Sequence, residues 1–244
     1  MKLELCVCDY EGAKLAFEHG FTSIELNSAL NLGGLTPSIG TVRSIAKDFD
    51  INIICMVRNR PGGFCYTDDE FNEMLNELDI LLKENIQGIA FGFLTKEYEI
   101  DYEKTKLFVN KIHKAKKTAV FHRAFDNVKC YKEAIDKLVE LNVDRVLTSG
   151  FKNTAIEGAE NLIKILEYAN NRIEILAGSG INSENVVDFI EQTKINYVHS
   201  SCKGKRFDET AYKNVSFRVY NDDSYQITDK FEVEKFRNEI NKIK

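Results

Sequence analysis

The sequence predicts an α/β fold, a single (β/α)8 barrel with a long loop before its last helix. Three observations carry this: eight short apolar runs rich in β-branched residues, segments of helical spacing between them, and strands each too apolar to have a wet face. Such strands need both faces covered, as in a closed parallel barrel or a doubly wound sheet, and a count of eight favours the barrel.

The predicted strands are 3–7, 22–26, 51–57, 88–93, 118–122, 144–148, 173–177 and 197–201. Helical spacing fills the gaps. Thr67 with Glu70 fits a capping box ahead of Phe71, Met74, Leu75, Leu78, Leu81 and Leu82 on one face. Thr36 as a cap and Pro37 at the first helical position open a segment that turns Ile39, Val42, Ile45, Ala46 and Phe49 inward. Ile156, Ala159, Ile163 and Leu166 repeat the pattern. The rhythm breaks at 203–227, which is polar without a helical stripe and is expected as a loop on the barrel rim or at a subunit contact. A subunit contact there would make the chain a homo-oligomer. A final helix over 229–243 buries Val233, Phe236, Ile240 and Ile243. No linker divides residues 1–244, so one domain is expected.

Composition excludes several classes of function. A chain of 244 residues with 43% hydrophobic content buries a large core, but a net charge of -5 and a pI near 5.6 provide no basic field for a phosphate backbone. Nucleic acid is not an expected partner. The first apolar run stops at Cys8 and Asp9, too short for a signal peptide, and none approaches the ~20 residues of a membrane span. A cytosolic, soluble chain with no membrane partner is expected. Its six cysteines then read as reduced thiols rather than disulfides, and the absence of any CxxC pair excludes a zinc ribbon.

In a parallel barrel the ligand site lies at the carboxyl ends of the strands, and these ends are polar. Glu25, Arg58, His122, Arg123, Asp126 and His199 are the candidate catalytic groups, all of acid, base or anion-binding type. Arg123 and Asp126, three residues apart, would equally form a plain structural ion pair, and His122 a core histidine. Ser149 and Ser200 add hydroxyls at strand ends. Gly178, Ser179 and Gly180, followed by Asn182, look like the glycine-rich turn that holds phosphate in many barrels, or like an ordinary strand-to-helix joint.

The motifs "LELCV", "GGLTPSIG", "RNRPGGFCYTDDEF", "FHRAFD", "VDRVLTSG", "ILAGSGI" and "VHSSC" together resemble the CutC family, named for copper homeostasis and unrelated to the choline lyase of the same name. The resemblance is close over about residues 3–202 and looser beyond. It implies a TIM-like barrel, a cytosolic location, a role in copper control with copper bound, and no organic cofactor. Two departures stand out: Asn27 where the family commonly has a cysteine, and "RNRPGGF" where it has "RPRGGDF".

Two functions follow from different chemistry. Copper as Cu(I) wants soft thiolates; Cys6 and Cys8, two apart on a strand, point the same way, and barrel closure puts Cys202 near Cys8. The alternative is an acid/base isomerase, epimerase or lyase acting on a small polar, sugar-like or phosphorylated substrate. No lysine lies in the core of a predicted strand, against a Schiff-base aldolase, and His19 and His113 fall on helices, which leaves no three-histidine zinc centre.

Overall fold

The computed structural model describes residues 1–210 and 224–243. Eight parallel strands close in sequence order: β1 (Lys2–Val7), β2 (Ser23–Leu26), β3 (Asn52–Met56), β4 (Gly88–Phe91), β5 (Thr118–Phe121), β6 (Arg145–Thr148), β7 (Glu174–Gly178) and β8 (Tyr197–Ser200), with β8 beside β1. Around them lie α1 (Tyr10–Glu18), α2 (Ile39–Asp48), α3 (Asp68–Leu81), α4 (Tyr102–Lys114), α5 (Tyr131–Glu140), α6 (Ala159–Ala169), α7 (Val186–Thr193) and α8 (Lys230–Ile240). The predicted (β/α)8 barrel is the observed fold.

Local chemistry starts several of the helices. The side chains of Asp9, Ser38, Thr67, Asp101 and Asp229 accept from backbone N–H groups of the first turns they precede, and Thr67 and Glu70 complete the capping box. Thr36 is not the cap of α2. Its hydroxyl is drawn instead to the Glu77 carboxylate at 2.6 Å and accepts from the backbone N–H of Arg58 at 2.9 Å, so Ser38 does the capping. The buried face of α6 is also a step out of the expected phase: Ala159, Leu162, Ile165 and Ala169 are buried, whereas Ile156 is exposed ahead of the helix.

The alternation along β1 explains the layering. Leu3, Leu5 and Val7 join the shell between strands and helices, while Glu4 and Cys6 point into the barrel. Inside, Ile54, Met56, Ala90 and Val120 form one apolar cluster and Leu147, Leu176 and Tyr197 another. The remaining interior, on β1, β2, β8 and the start of β6, is polar.

The segment after β8 is not a plain loop. β9 (Lys203–Phe207) and β10 (Ser224–Thr228) pair antiparallel at the two ends of the loop expected over 203–227, whose part at 211–223 lies outside the described residues. Alternation in "SYQIT" supports a strand despite its polarity. The hairpin sits on the rim, where Arg206 meets Glu11 at 2.7 Å and Tyr225, Gln226, Ile227 and Thr228 line a cavity with Cys8 and Asp9.

The connection after β6 folds back closely on itself. A Cβ on Gly158 would stand 1.9 Å from the carbonyl oxygen of Ser149, whereas one on Gly63 would meet nothing within 4 Å. Gly158→Ala is expected to cost about 1–3 kcal/mol through backbone overpacking. Gly63→Ala should leave the urea midpoint unchanged, and equal midpoints for the two variants would contradict the close crossing.

Candidate functional site

The floor of the site is a buried carboxylate. Glu4 is bonded by Ser23 Oγ at 2.9 Å, Tyr197 Oη at 3.3 Å and His199 Nδ1 at 3.0 Å, and faces Arg145 Nη1 at 3.5 Å. Arg145 also holds Glu174 at 2.7 Å. Burial alone would push the Glu4 carboxyl up, but the His199 hydrogen bond and the charges of His199 and Arg145 bring it below the usual range.

Above this floor lie Cys6, Glu25, Asn27 and His199. Asn27 Nδ2 donates to Glu25 Oε2 at 2.8 Å and to Cys6 Sγ at 3.4 Å, and the Cys6 thiol donates to Glu25 Oε2 at 3.6 Å. Burial holds the Glu25 carboxyl above its ordinary pKa, with the charge of Glu4 adding to the rise and His199 opposing it. His199 moves up as well: burial works against its charged form, but the Glu4 hydrogen bond and the charges of Glu25 and Glu4 outweigh it. The Cys6 thiol is pushed well up by burial and then by Glu25. Ligand-type atoms of Cys6, Glu25 and His199 lie within 4.8 Å of one another, the one such trio among the described residues.

The opposite wall comes from β3 and β5. The Nδ1 of His122 accepts the backbone N–H of Ala124 at 3.1 Å, so the proton of the neutral ring sits on Nε2, which is buried without a partner. Burial, and then the charge of Arg58, lower its pKa to about 3, so the ring is neutral at physiological pH. Space for the ring exists because residue 92 is glycine: a Cβ there would lie 2.5 Å from His122 Cε1. Arg58 donates to the carbonyls of Leu32, Gly34 and Gly62, and Phe64 lies against both its guanidinium and the His122 ring. Glu25, Arg58, His122, Arg123 and His199, expected at one end of the barrel, line one cavity of about 730 Å³ including its open mouth, with Cys6, Asn27, Phe64, Ser179, Gly180 and Ser200.

Other expected site residues do structural work. Asp126 accepts from Thr148 Oγ1, Ser149 N, Ser149 Oγ and Phe151 N and pairs with Arg123 at 2.8 Å, tying the turn after β5 to that after β6. Ser149 is buried within this knot, away from the cavity lining. A Cβ on Gly178 would press on Leu147 and the His199 ring. Ser200 Oγ is engaged by Ile181 O at 2.6 Å and Ser179 Oγ by Asn153 O at 2.7 Å. Just past the glycine turn, Asn185 Oδ1 takes the N–H of Asn182 and the Glu232 carboxylate takes the N–H and hydroxyl of Ser183, while Ser179 and Gly180 themselves line the cavity.

The three thiols expected to hold copper are not one cluster. Cys6 faces Glu25; Cys8 lines the rim cavity, where burial pushes its thiol up to about 11; Cys202 is packed in the outer shell beside Ser200, pushed up to about 12. Sequence reasoning missed Glu4, Arg145, Tyr197 and Phe64. Glu4 was legible, since it is two residues before Cys6 and so on the same side of the strand.

Comparison with known proteins agrees with this architecture. The model of the CutC family matches residues 1–204. The chain belongs to the CutC family. A CutC family protein of Treponema denticola is 37% identical over 233 residues, covering 96% of this chain and 94% of the relative. One from Glaesserella parasuis is 39% identical over 206 residues, 84% of each chain. The solved CutC of Streptococcus agalactiae, which carries the name of a copper homeostasis protein, superposes with a TM-score of 0.77 at 29% identity, over 82% of this chain and 98% of that one. Asn27 puts an amide 3.4 Å from Cys6 Sγ.

The ionisation of His122 gives a pH test. Its folded pKa of about 3 lies below the unfolded value near 6.5, so the unfolded chain gains a proton that the folded chain refuses, and stability is lost progressively as pH falls from about 6.5 towards 3. His122→Asn removes that loss. Between pH 7 and pH 5 the variant should gain about 2 kcal/mol on the parent in urea denaturation. A difference independent of pH would show that His122 is not held neutral.

Proposed function

We propose that the chain is a CutC-family enzyme that moves a proton beside the carbonyl group of a small polar or sugar-like substrate, as an isomerase, epimerase or lyase does. The observation that carries this reading is His122, a neutral imidazole with its Nε2–H unpartnered in the wall of a cavity whose other side holds a buried carboxyl, Glu25. A substrate carbonyl oxygen receives that N–H. Negative charge developing on the oxygen is stabilised by the donor and by the nearby positive charge of Arg58. Glu25, raised by burial, removes and returns the carbon-bound proton, and His199, held by Glu4, serves as the acid beside it. A cytoplasmic setting, where thiols stay reduced, suits six unpaired cysteines.

Deuterium exchange tests the proposal without knowledge of the product. Small hydroxyaldehydes, hydroxyketones and 2-oxo acids incubated with the protein in D2O should include one that gains deuterium next to its carbonyl, read by proton NMR. Glu25→Gln should abolish the exchange and His122→Asn slow it by about 10²–10³-fold, the cost of one lost oxyanion donor. Exchange that survives Glu25→Gln removes Glu25 as the base.

A second reading rests on the Cys6, Glu25 and His199 trio and on the family's name. The chain would bind copper as its cargo. One sulfur, one nitrogen and one oxygen form a mixed donor set that suits a borderline divalent ion better than Cu(I), and the Cys6, Cys8 and Cys202 set does not fit. Under this reading Cys6→Ser weakens copper in a chelator competition and Cys202→Ser leaves it unchanged. The reverse order would restore the thiol set.

A further inference from the structure

Removing a guanidinium from water costs several kcal/mol, so buried arginines are held by opposite charges. The barrel follows this rule at Arg145, which faces Glu4 and Glu174. Arg58 departs from it. The residue is 5% exposed, and its guanidinium donates to the carbonyl oxygens of Leu32, Gly34 and Gly62, at 3.2, 3.0 and 2.8 Å, with no ion pair to a carboxylate among the described residues. Carbonyls orient the fork without cancelling its charge. One face is covered by Phe64, 5.3 Å from ring centre to guanidinium carbon, and Nε is buried without an acceptor.

The imbalance extends to the neighbouring side chain. His122 Nε2–H has no acceptor either, and both residues line the same cavity. A positive charge without a carboxylate partner among the described residues, and two donors without acceptors, thus belong to two residues that line one space. A role as a loop clamp accounts for the three carbonyl bonds, because those need hydrogen-bond donors; it does not account for burying a charge.

We infer that the site takes an anionic substrate, a small compound carrying a carboxylate or phosphate next to a carbonyl or hydroxyl, with Arg58 neutralising the anion and His122 Nε2–H reaching the adjoining oxygen. This narrows the substrate class of the enzyme proposed above and rests on that reading for its chemistry, though not for its binding. The recognition is by charge, so a neutral compound of the same shape should be rejected.

Glycolate, its neutral counterpart glycolamide, and inorganic phosphate are the probes, each added to the unmodified protein at matched ionic strength. Glycolate or phosphate should raise the melting temperature and shift the His122 Nε2–H resonance saturably, the signal being assigned by its loss in His122→Asn. Glycolamide should do neither. A response to glycolate alone marks a carboxylate substrate, and to phosphate alone a phosphorylated one. Arg58→Gln should weaken the responding anion at least about tenfold, the loss of a charge-assisted hydrogen bond, while Arg58→Lys retains part of the affinity. Because Arg58→Gln also loosens two loops, the resonance shift in the unmodified protein is the deciding measurement. Equal responses to glycolate and glycolamide, or none to either anion, would overturn the inference. Deuterium exchange on neutral substrates with no anion response would sink it alone, and an anion response without exchange on any substrate would sink the enzyme reading alone.

Discussion

A carboxylate buried inside a closed barrel must be answered from several strands at once, and Glu4 imposes that demand. Its partners Ser23, Arg145, Tyr197 and His199 come from β2, β6 and β8. These groups keep it ionised, and an ionised Glu4 in turn favours charge on His199 and disfavours it on Glu25. The proton inventory of the cavity therefore begins one layer below it. Replacing Glu4 by an apolar residue would leave Arg145 and His199 as buried cations with less to face, which is costlier than losing the whole network together.

The two histidines are held by a different device. His122 just past β5 and His199 on β8 each lie against a glycine at the end of the preceding strand, Gly92 just past β4 and Gly178 on β7, where any Cβ would press on the ring. Absence of a side chain on one strand makes the pocket for a ring on the next. Asp126 then ties the β5 and β6 turns through four neighbouring donors and Arg123, so the frame around His122 is fixed on both sides. Such a frame suits a group that must present one N–H in one direction.

The barrel was legible because the pattern that predicts it is repeated eight times, and each strand end was visible as the place where apolar residues stop. Roles within the site were less so. Arg123 and Asp126 share the spacing of a structural pair and of a catalytic one, and only the bonds that Thr148, Ser149 and Phe151 make to Asp126 separate these. The α6 phase and the Thr36 cap failed for the same physical reason: a distant partner, the wall of the barrel or Glu77, outweighed local preference. Cysteine spacing misled most. Cys8 and Cys202 flank the closure of the barrel in sequence, yet Cys202 adopts a positive φ of 39° and packs in the outer shell.

The enzyme and copper readings compete for the same atoms. A metal ion on Cys6, Glu25 and His199 would occupy the carboxylate that the enzyme needs as a base, so the two functions exclude one another at any moment in one molecule. Asn27 bears on the choice. Its amide directs N–H donors at Glu25 Oε2 and Cys6 Sγ, at the lone pairs a metal would use, and offers no sulfur of its own. An amide donor stabilises a carboxylate without neutralising it, which leaves Glu25 free to exchange a proton as its surroundings change. At residue 27 this chain offers a hydrogen-bond donor and not a soft ligand, and a donor there suits proton chemistry better than copper.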